Sequence, residues 1–117
     1  MNLFQRGNFT LSSGAISPFK IECDALTKED WQTLAYLAYR ILPEFGRVVP
    51  VPRGGIPFSD ALEQYCRSMV DRVLVVDDVL TTGNSIREAM EPGDIGCVVF
   101  ARGITPPQVF SIFNSTI

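Results

Sequence analysis

The chain alternates between continuous apolar segments and segments in which apolar residues recur at helical spacing. Short continuous apolar segments bounded by turn residues are typical of buried strands. The segments of this kind are RVVPV at residues 47–51, RVLVV at 72–76, IGCVVFA at 95–101 and PPQVFSIF at 106–113. Because proline restricts a strand to a sheet edge or to its first residue, the last segment is predicted to be an edge strand.

Helical patterns separate these segments. The clearest helix follows Thr27, whose hydroxyl can cap it, and ends before Pro43. Its predicted core stripe consists of Trp31, Leu34, Ala35, Ala38, Ile41 and Leu42. A second helix is predicted at about residues 57–67, with Pro57 in its first turn, and a short third helix at about 84–90. Residues 8–24 are predicted to form a loop and then a short extended segment, PFKIEC.

Strands that are apolar throughout and alternate with helices predict a parallel sheet with helices on both faces. The predicted fold class is therefore α/β, with a small parallel sheet in a single domain spanning residues 1–117. In such sheets, ligands bind beyond the carboxyl ends of the strands. The loops PRGGIP (52–57), DDVLTTGNS (77–85) and RGITPP (102–107) should open at this edge.

Composition narrows the function classes. The formal net charge of −3 and the scattered basic residues argue against a nucleic-acid-binding protein. The chain has no histidine, which excludes His-based triads and His-ligated metal sites. Its three cysteines are widely spaced, which favours a reducing compartment. We find no signal peptide and no apolar run of transmembrane length, so we expect a cytoplasmic protein without a membrane partner.

The loop after the second apolar segment holds the most informative chemistry. Asp77 and Asp78 are adjacent carboxylates that we expect to leave the strand end, where they can accept hydrogen bonds from sugar hydroxyls or hold Mg²⁺ through water. The hydroxyls, glycine and backbone N–H groups that follow, at the start of a helix, can surround a phosphate. A ribose 5-phosphate satisfies both requirements. A Walker loop is excluded because no Gly-Lys-Thr/Ser follows the glycine.

The stretch VLVVDDVLTTGNS (73–85) resembles the signature of the type I phosphoribosyltransferases, which binds 5-phosphoribosyl 1-diphosphate (PRPP). The resemblance implies a Rossmann-like core, Mg²⁺ as a cofactor, and an acidic pair, Asp77 and Asp78, that binds the ribose 2- and 3-hydroxyls. It also implies a 5-phosphate loop formed by Thr81, Thr82, Gly83, Asn84 and Ser85.

The earlier loop, VPRGGIP, is similar to the diphosphate loop of the same family. Gly54 and Gly55 allow close approach of the backbone, and Arg53 can donate two hydrogen bonds to phosphate oxygens. No residue of the chain is assigned a catalytic role.

Two further features resemble orotate phosphoribosyltransferases. Arg102 ends an apolar strand at the position where those enzymes recognise an acidic base. The N-terminal FTLSSGAISPFKI is similar to the opening of that branch, which implies a base-side segment at residues 1–25 ahead of a core at 26–117. Ser12 replaces the usual lysine there, and Lys20 is a candidate for the lost positive charge.

One part of the family pattern is missing. Between the diphosphate loop and the signature the family carries another strand and a long loop that closes over PRPP, whereas FSDALEQYCRSMVD leaves room for one helix and a turn. Three hypotheses follow. The first is a shortened phosphoribosyltransferase that uses PRPP, Mg²⁺ and an orotate-like or other small cyclic base. The second is a module that binds PRPP or a nucleotide 5-phosphate without turnover, and the third is an α/β domain that merely reuses the turn. Exposed sheet edges further suggest a homodimer.

Overall fold

The computed structural model describes residues 3–10 and 16–115. Its elements are β1 (Phe4–Thr10), β2 (Ile16–Ile21), α1 (Lys28–Ile41), β3 (Arg47–Pro50), α2 (Ile56–Leu62), β4 (Val73–Leu80), α3 (Asn84–Ala89), β5 (Ile95–Arg102) and β6 (Val109–Ser115). Short 3₁₀ helices at Cys23–Ala25 and Glu63–Tyr65 precede α1 and follow α2.

The central sheet is parallel and has the strand order β3-β4-β5-β6. Side chains alternate across its strands, so Leu74 and Val76 pack under α1 and α2, while Val75 packs under α3. Burial on both faces explains why these strands are apolar throughout. The predicted α/β class, with a small parallel sheet flanked by helices and β6 at an edge, is confirmed.

Helix α1 begins where its sequence predicts. Thr27 Oγ1 accepts a hydrogen bond from the Asp30 amide at 3.1 Å, and the Asp30 carboxylate accepts one from the Thr27 amide at 2.9 Å. Trp31 packs against Phe58 of α2, with ring centroids 5.9 Å apart. Ile41 was wrongly placed in the core stripe, since it lies in the last turn and is 49% exposed. None of the helices in the described ranges is long and apolar enough to cross a membrane.

The N-terminal part of the chain departs from its prediction. Residues 4–10 form a strand, β1, that pairs antiparallel with β2, where the sequence predicted only a loop and one extended segment. The register shifts between Arg6 and Phe9, and this irregularity breaks the alternation that would have marked β1 as a strand. Residues 11–15, which include Ser12, lie outside the described part.

The link from α2 to β4 is short and fixed to the start of β3. Helix α2 ends at Leu62, earlier than predicted, because the chain tightens into a 3₁₀ turn that stacks Tyr65 on Tyr39 at 4.5 Å. The Arg67 amide then donates to the Phe45 carbonyl, and the Gly46 amide donates to the Arg72 carbonyl, both at 2.9 Å. The prediction that one helix and a turn separate the two loops is confirmed.

Candidate functional site

The acidic pair lies inside a strand rather than beyond its end. Strand β4 continues through Asp77 and Asp78 to Leu80, which corrects the expectation that these residues leave the strand. The Asp78 amide donates to Asp77 Oδ1 at 2.8 Å, and the Val79 amide donates to Asp78 Oδ1 at 2.7 Å. Each carboxylate is thus held by the amide that follows it, which explains how the strand accommodates two adjacent acids.

The two carboxylates face different neighbours, as expected for consecutive residues of a strand. Asp77 lines a cavity of about 50 Å³ together with residues 81–85. Asp78 points toward the loop after β3, where a Cβ built on Gly54 would lie 2.5 Å from Asp78 Oδ2. The acidic pair therefore contacts both of the loops that the sequence singled out.

The pKa of the Asp77 carboxyl is raised. Burial is the main cause, and the neighbouring carboxyl of Asp78 adds to it. A hydrogen bond from the Asp78 amide opposes the rise. A ligand that supplies hydroxyl donors or a cation would favour the charged form of Asp77, so the site is suited to a polar or cationic group.

The loop after β4 has the geometry expected of an anion-binding turn. Gly83 has a φ of +82° and precedes the first residue of α3. The Arg87 amide donates to the Gly83 carbonyl at 3.0 Å, and Thr82 Oγ1 accepts from the Asn84 amide at 3.3 Å. Thr82, Asn84 and Ser85 are exposed, so this segment is open to a ligand.

The loop after β3 is held against β4 by its backbone. The Val51 amide donates to the Val76 carbonyl at 2.8 Å, and the Gly55 amide donates to the Val51 carbonyl at 3.0 Å. A Cβ on Gly55 would collide with both of these carbonyl oxygens. Arg53 is exposed in this loop, so its guanidinium group is accessible to solvent.

Cys23 is a neighbour of the acidic pair that sequence reasoning missed. It is buried at the start of the 3₁₀ helix that follows β2. Burial raises the pKa of its thiol to about 12, and Asp78 is the next largest contributor. The thiol therefore stays protonated. The three cysteines looked alike in the sequence, so no local signal could have marked this one.

The structure gives less detail on the two candidate base-binding residues, Arg102 and Lys20. Arg102 ends β5, half-buried and paired with Ser115 of β6, at the same carboxyl edge as the two loops. Lys20 lies in β2 opposite Gln5, but its side chain is outside the described part of the structure. The roles of both residues in base binding stay predictions.

The described residues contain no group of three or more acidic, cysteine or histidine side chains that could hold a metal ion. The acidic pair nevertheless fits Mg²⁺, which is usually bound by one or two carboxylates, water and substrate phosphates. Asp77 and Asp78 are the residues that could hold it.

Comparison with known proteins places the chain in a family. The orotate phosphoribosyltransferase of Pyrobaculum calidifontis is 30% identical to it, over 92% of this chain and 79% of that protein. The chain belongs to the orotate phosphoribosyltransferase family. The orotate phosphoribosyltransferase of Pyrobaculum aerophilum is 32% identical to the chain, over 80% of this chain and 66% of that protein. The structure of the Aeropyrum pernix orotate phosphoribosyltransferase superposes with a TM-score of 0.78 at 27% identity, covering 96% of this chain and 88% of that one. No protein-family model matches the chain.

The prediction of a shortened type I phosphoribosyltransferase closest to the orotate branch is confirmed by this membership. The alignment with the P. calidifontis protein extends over 151 positions, which exceeds the 117 residues of this family member. The relative therefore carries residues that have no counterpart in this chain.

Proposed function

We propose that the protein binds PRPP with Mg²⁺ and transfers ribose 5-phosphate to orotate or a closely related acidic base, releasing diphosphate. One observation supports this most directly. Strand β4 places Asp77 in a common cavity with residues 81–85 and places Asp78 against Gly54 in the loop after β3. Groups suited to a 5-phosphate, a ribose and a diphosphate therefore follow one another along one edge of the sheet.

Each part of the site has a physical role in this proposal. Backbone N–H groups and hydroxyls of residues 81–85 bind the 5-phosphate, and the carboxylate of Asp77 accepts a hydrogen bond from a ribose hydroxyl. Arg53 donates to the diphosphate, which leaves with the bonding electrons as the bond from C1 of ribose to its oxygen breaks. The bond from C1 to the base nitrogen forms, and the proton of that nitrogen passes to solvent. When bound, Mg²⁺ would neutralise part of the diphosphate charge.

Recognition of the base is assigned to Arg102 and Lys20, because a guanidinium or ammonium group can pair with the carboxylate of an orotate-like base. A homodimer and a cytoplasmic location are also part of the proposal. The first is suggested by the sheet edges at β3 and β6, where a further strand could pair.

The direct test is PRPP-dependent release of diphosphate with orotate and a panel of other bases in the presence of Mg²⁺. We expect release with orotate and its loss in the Asp77→Asn/Asp78→Asn double variant, whose folding is checked by circular dichroism. The exposed Met69→Ala substitution serves as a control. Saturable PRPP binding by calorimetry without any product would contradict the transferase and support the binding module. Absence of both from the folded protein would remove the proposal.

A further inference from the structure

The contact between Gly54 and Asp78 has a specific geometry. The three atoms nearest to a Cβ built on Gly54 are all from one carboxyl group: Asp78 Oδ2 at 2.5 Å, Cγ at 2.7 Å and Oδ1 at 2.7 Å. No backbone atom is among them. The carboxylate thus rests on the loop after β3, and it occupies the space that any side chain at position 54 would need.

The carboxylate is also held by the backbone of its own strand. Asp78 Oδ1 accepts a hydrogen bond from the Val79 amide at 2.7 Å, and this amide belongs to the central strand β4. The position of the carboxylate is therefore set by the sheet, and at position 54 the carboxylate limits how closely the loop can approach β4.

We propose that Asp78 is a positioning residue that holds the diphosphate loop at its working distance from β4, and that Gly54 lacks a side chain in order to receive it. Asp77, which lines the cavity with residues 81–85, is then the member of the pair that serves the ribose. This inference rests on the proposed function for its ligand. It gives Asp77 and Asp78 different roles, whereas the family resemblance gives both the same role.

The two substitutions at this contact should be coupled. Gly54→Ala alone pushes the Asp78 carboxylate away and weakens its bond to Val79, so it should lower the unfolding midpoint. In an Asp78→Ala background the obstructing atoms are gone, and Gly54→Ala should be neutral or slightly stabilising because it restricts the unfolded chain. Equal losses in both backgrounds would overturn the inference. Should Gly54→Ala fail to fold, recovery of folding in the double variant would support it and continued failure would overturn it.

Binding of inorganic diphosphate without Mg²⁺, measured by calorimetry, separates positioning from direct contact with the ribose or with the metal ion. This probe has no ribose, so a carboxylate that only binds ribose hydroxyls would not affect it. We expect about a tenfold loss of affinity in Asp78→Ala and in Gly54→Ala, with no further loss in the double variant. Asp78→Asn keeps the shape of the side chain and its bond to Val79. In the absence of Mg²⁺ its diphosphate affinity should therefore fall by no more than about threefold.

Two binding results would refute the positioning role. Unchanged diphosphate affinity in Asp78→Ala would assign the residue to the ribose or to Mg²⁺ alone. An Asp78→Asn loss as large as that of Asp78→Ala would show that the shape of the side chain and its bond to Val79 do not position the loop. If the wild-type protein binds neither PRPP nor diphosphate, the proposed function fails, and the stability measurements on the four proteins still decide whether Gly54 and Asp78 are coupled.

Discussion

The loop after β3 and the loop after β4 both depend on glycine, but for different physical reasons. Around Gly55 the constraint is space, because the Val51 and Val76 carbonyl oxygens occupy the place of a side chain. At Gly83 the constraint is mainly backbone conformation, since its φ of +82° is one that L side chains rarely adopt. The first loop is fixed by packing against the sheet, and the second by the turn that starts α3.

The largest effect is therefore expected from Gly55→Ala. Its Cβ would meet backbone oxygens of β4 and of the loop itself, and each of these oxygens accepts a backbone hydrogen bond that would break if it moved. We expect a loss of about 3 kcal/mol or more in the free energy of unfolding, roughly 12 °C or more in Tm for a domain of this size.

The Tm of Gly55→Ala should be compared with that of Gly54→Ala, because the two sites are adjacent and differ mainly in the atoms that a new Cβ would meet. At position 54 the obstruction is the end of a side chain, which can rotate, so that variant should lose far less stability. Similar losses of stability at both positions would show that a clash with backbone atoms costs no more in this loop than a clash with a side chain.

A smaller effect is expected from Gly83→Ala. Forcing alanine into a left-handed conformation costs about 1–2 kcal/mol, and its Cβ would also lie 2.9 Å from Pro106 Cγ. Urea denaturation should show this loss, and PRPP affinity should fall because the turn binds the 5-phosphate in the proposed function. Gly83→Asn is the matched control, since asparagine tolerates this conformation better than alanine. Equal losses in both variants would mean that contact with Pro106, and not φ, dominates.

The sequence could predict features that depend on residues close together in the chain, but not those that depend on contacts between separate elements. The parallel sheet followed from strands such as residues 95–101 that are apolar throughout, because burial on both faces leaves that pattern. The grouping of Asp77 with residues 81–85 was also predictable, since they are close in the chain. The contact of Asp78 with Gly54 was not, because it depends on the direction of one side chain within a strand that continues further than its apolar residues.

Strand β1 and Cys23 were missed for similar reasons. The register shift near Phe9 hides the alternation of β1, and a two-stranded pair leaves little other trace in the sequence. Cys23 reaches the acidic pair through tertiary packing, which connects positions more than 50 residues apart in the chain. Local patterns predicted the elements and the contiguous loop, whereas contacts across elements required the structure.

The smallest effect is expected at Asp77, whose carboxyl is only half-buried and so partly screened by solvent. Its pKa is raised from 3.8 to about 7 in the folded protein, mainly by burial. Unfolded chains lose this proton near pH 4 and the folded protein keeps it until about pH 7. The folded state therefore binds more protons in this interval, and the contribution of Asp77 to stability is present below pH 4 and is lost as the pH rises to about 7.

Asp77→Asn removes this titration while its side-chain oxygen can still accept from the Asp78 amide. Urea denaturation at pH 5 and pH 8 should show wild type losing stability relative to Asp77→Asn as the pH rises. The exposed Asp71→Asn variant should follow wild type at both pH values. Parallel curves for wild type and Asp77→Asn would mean that the cavity beside residues 81–85 does not resist the charge.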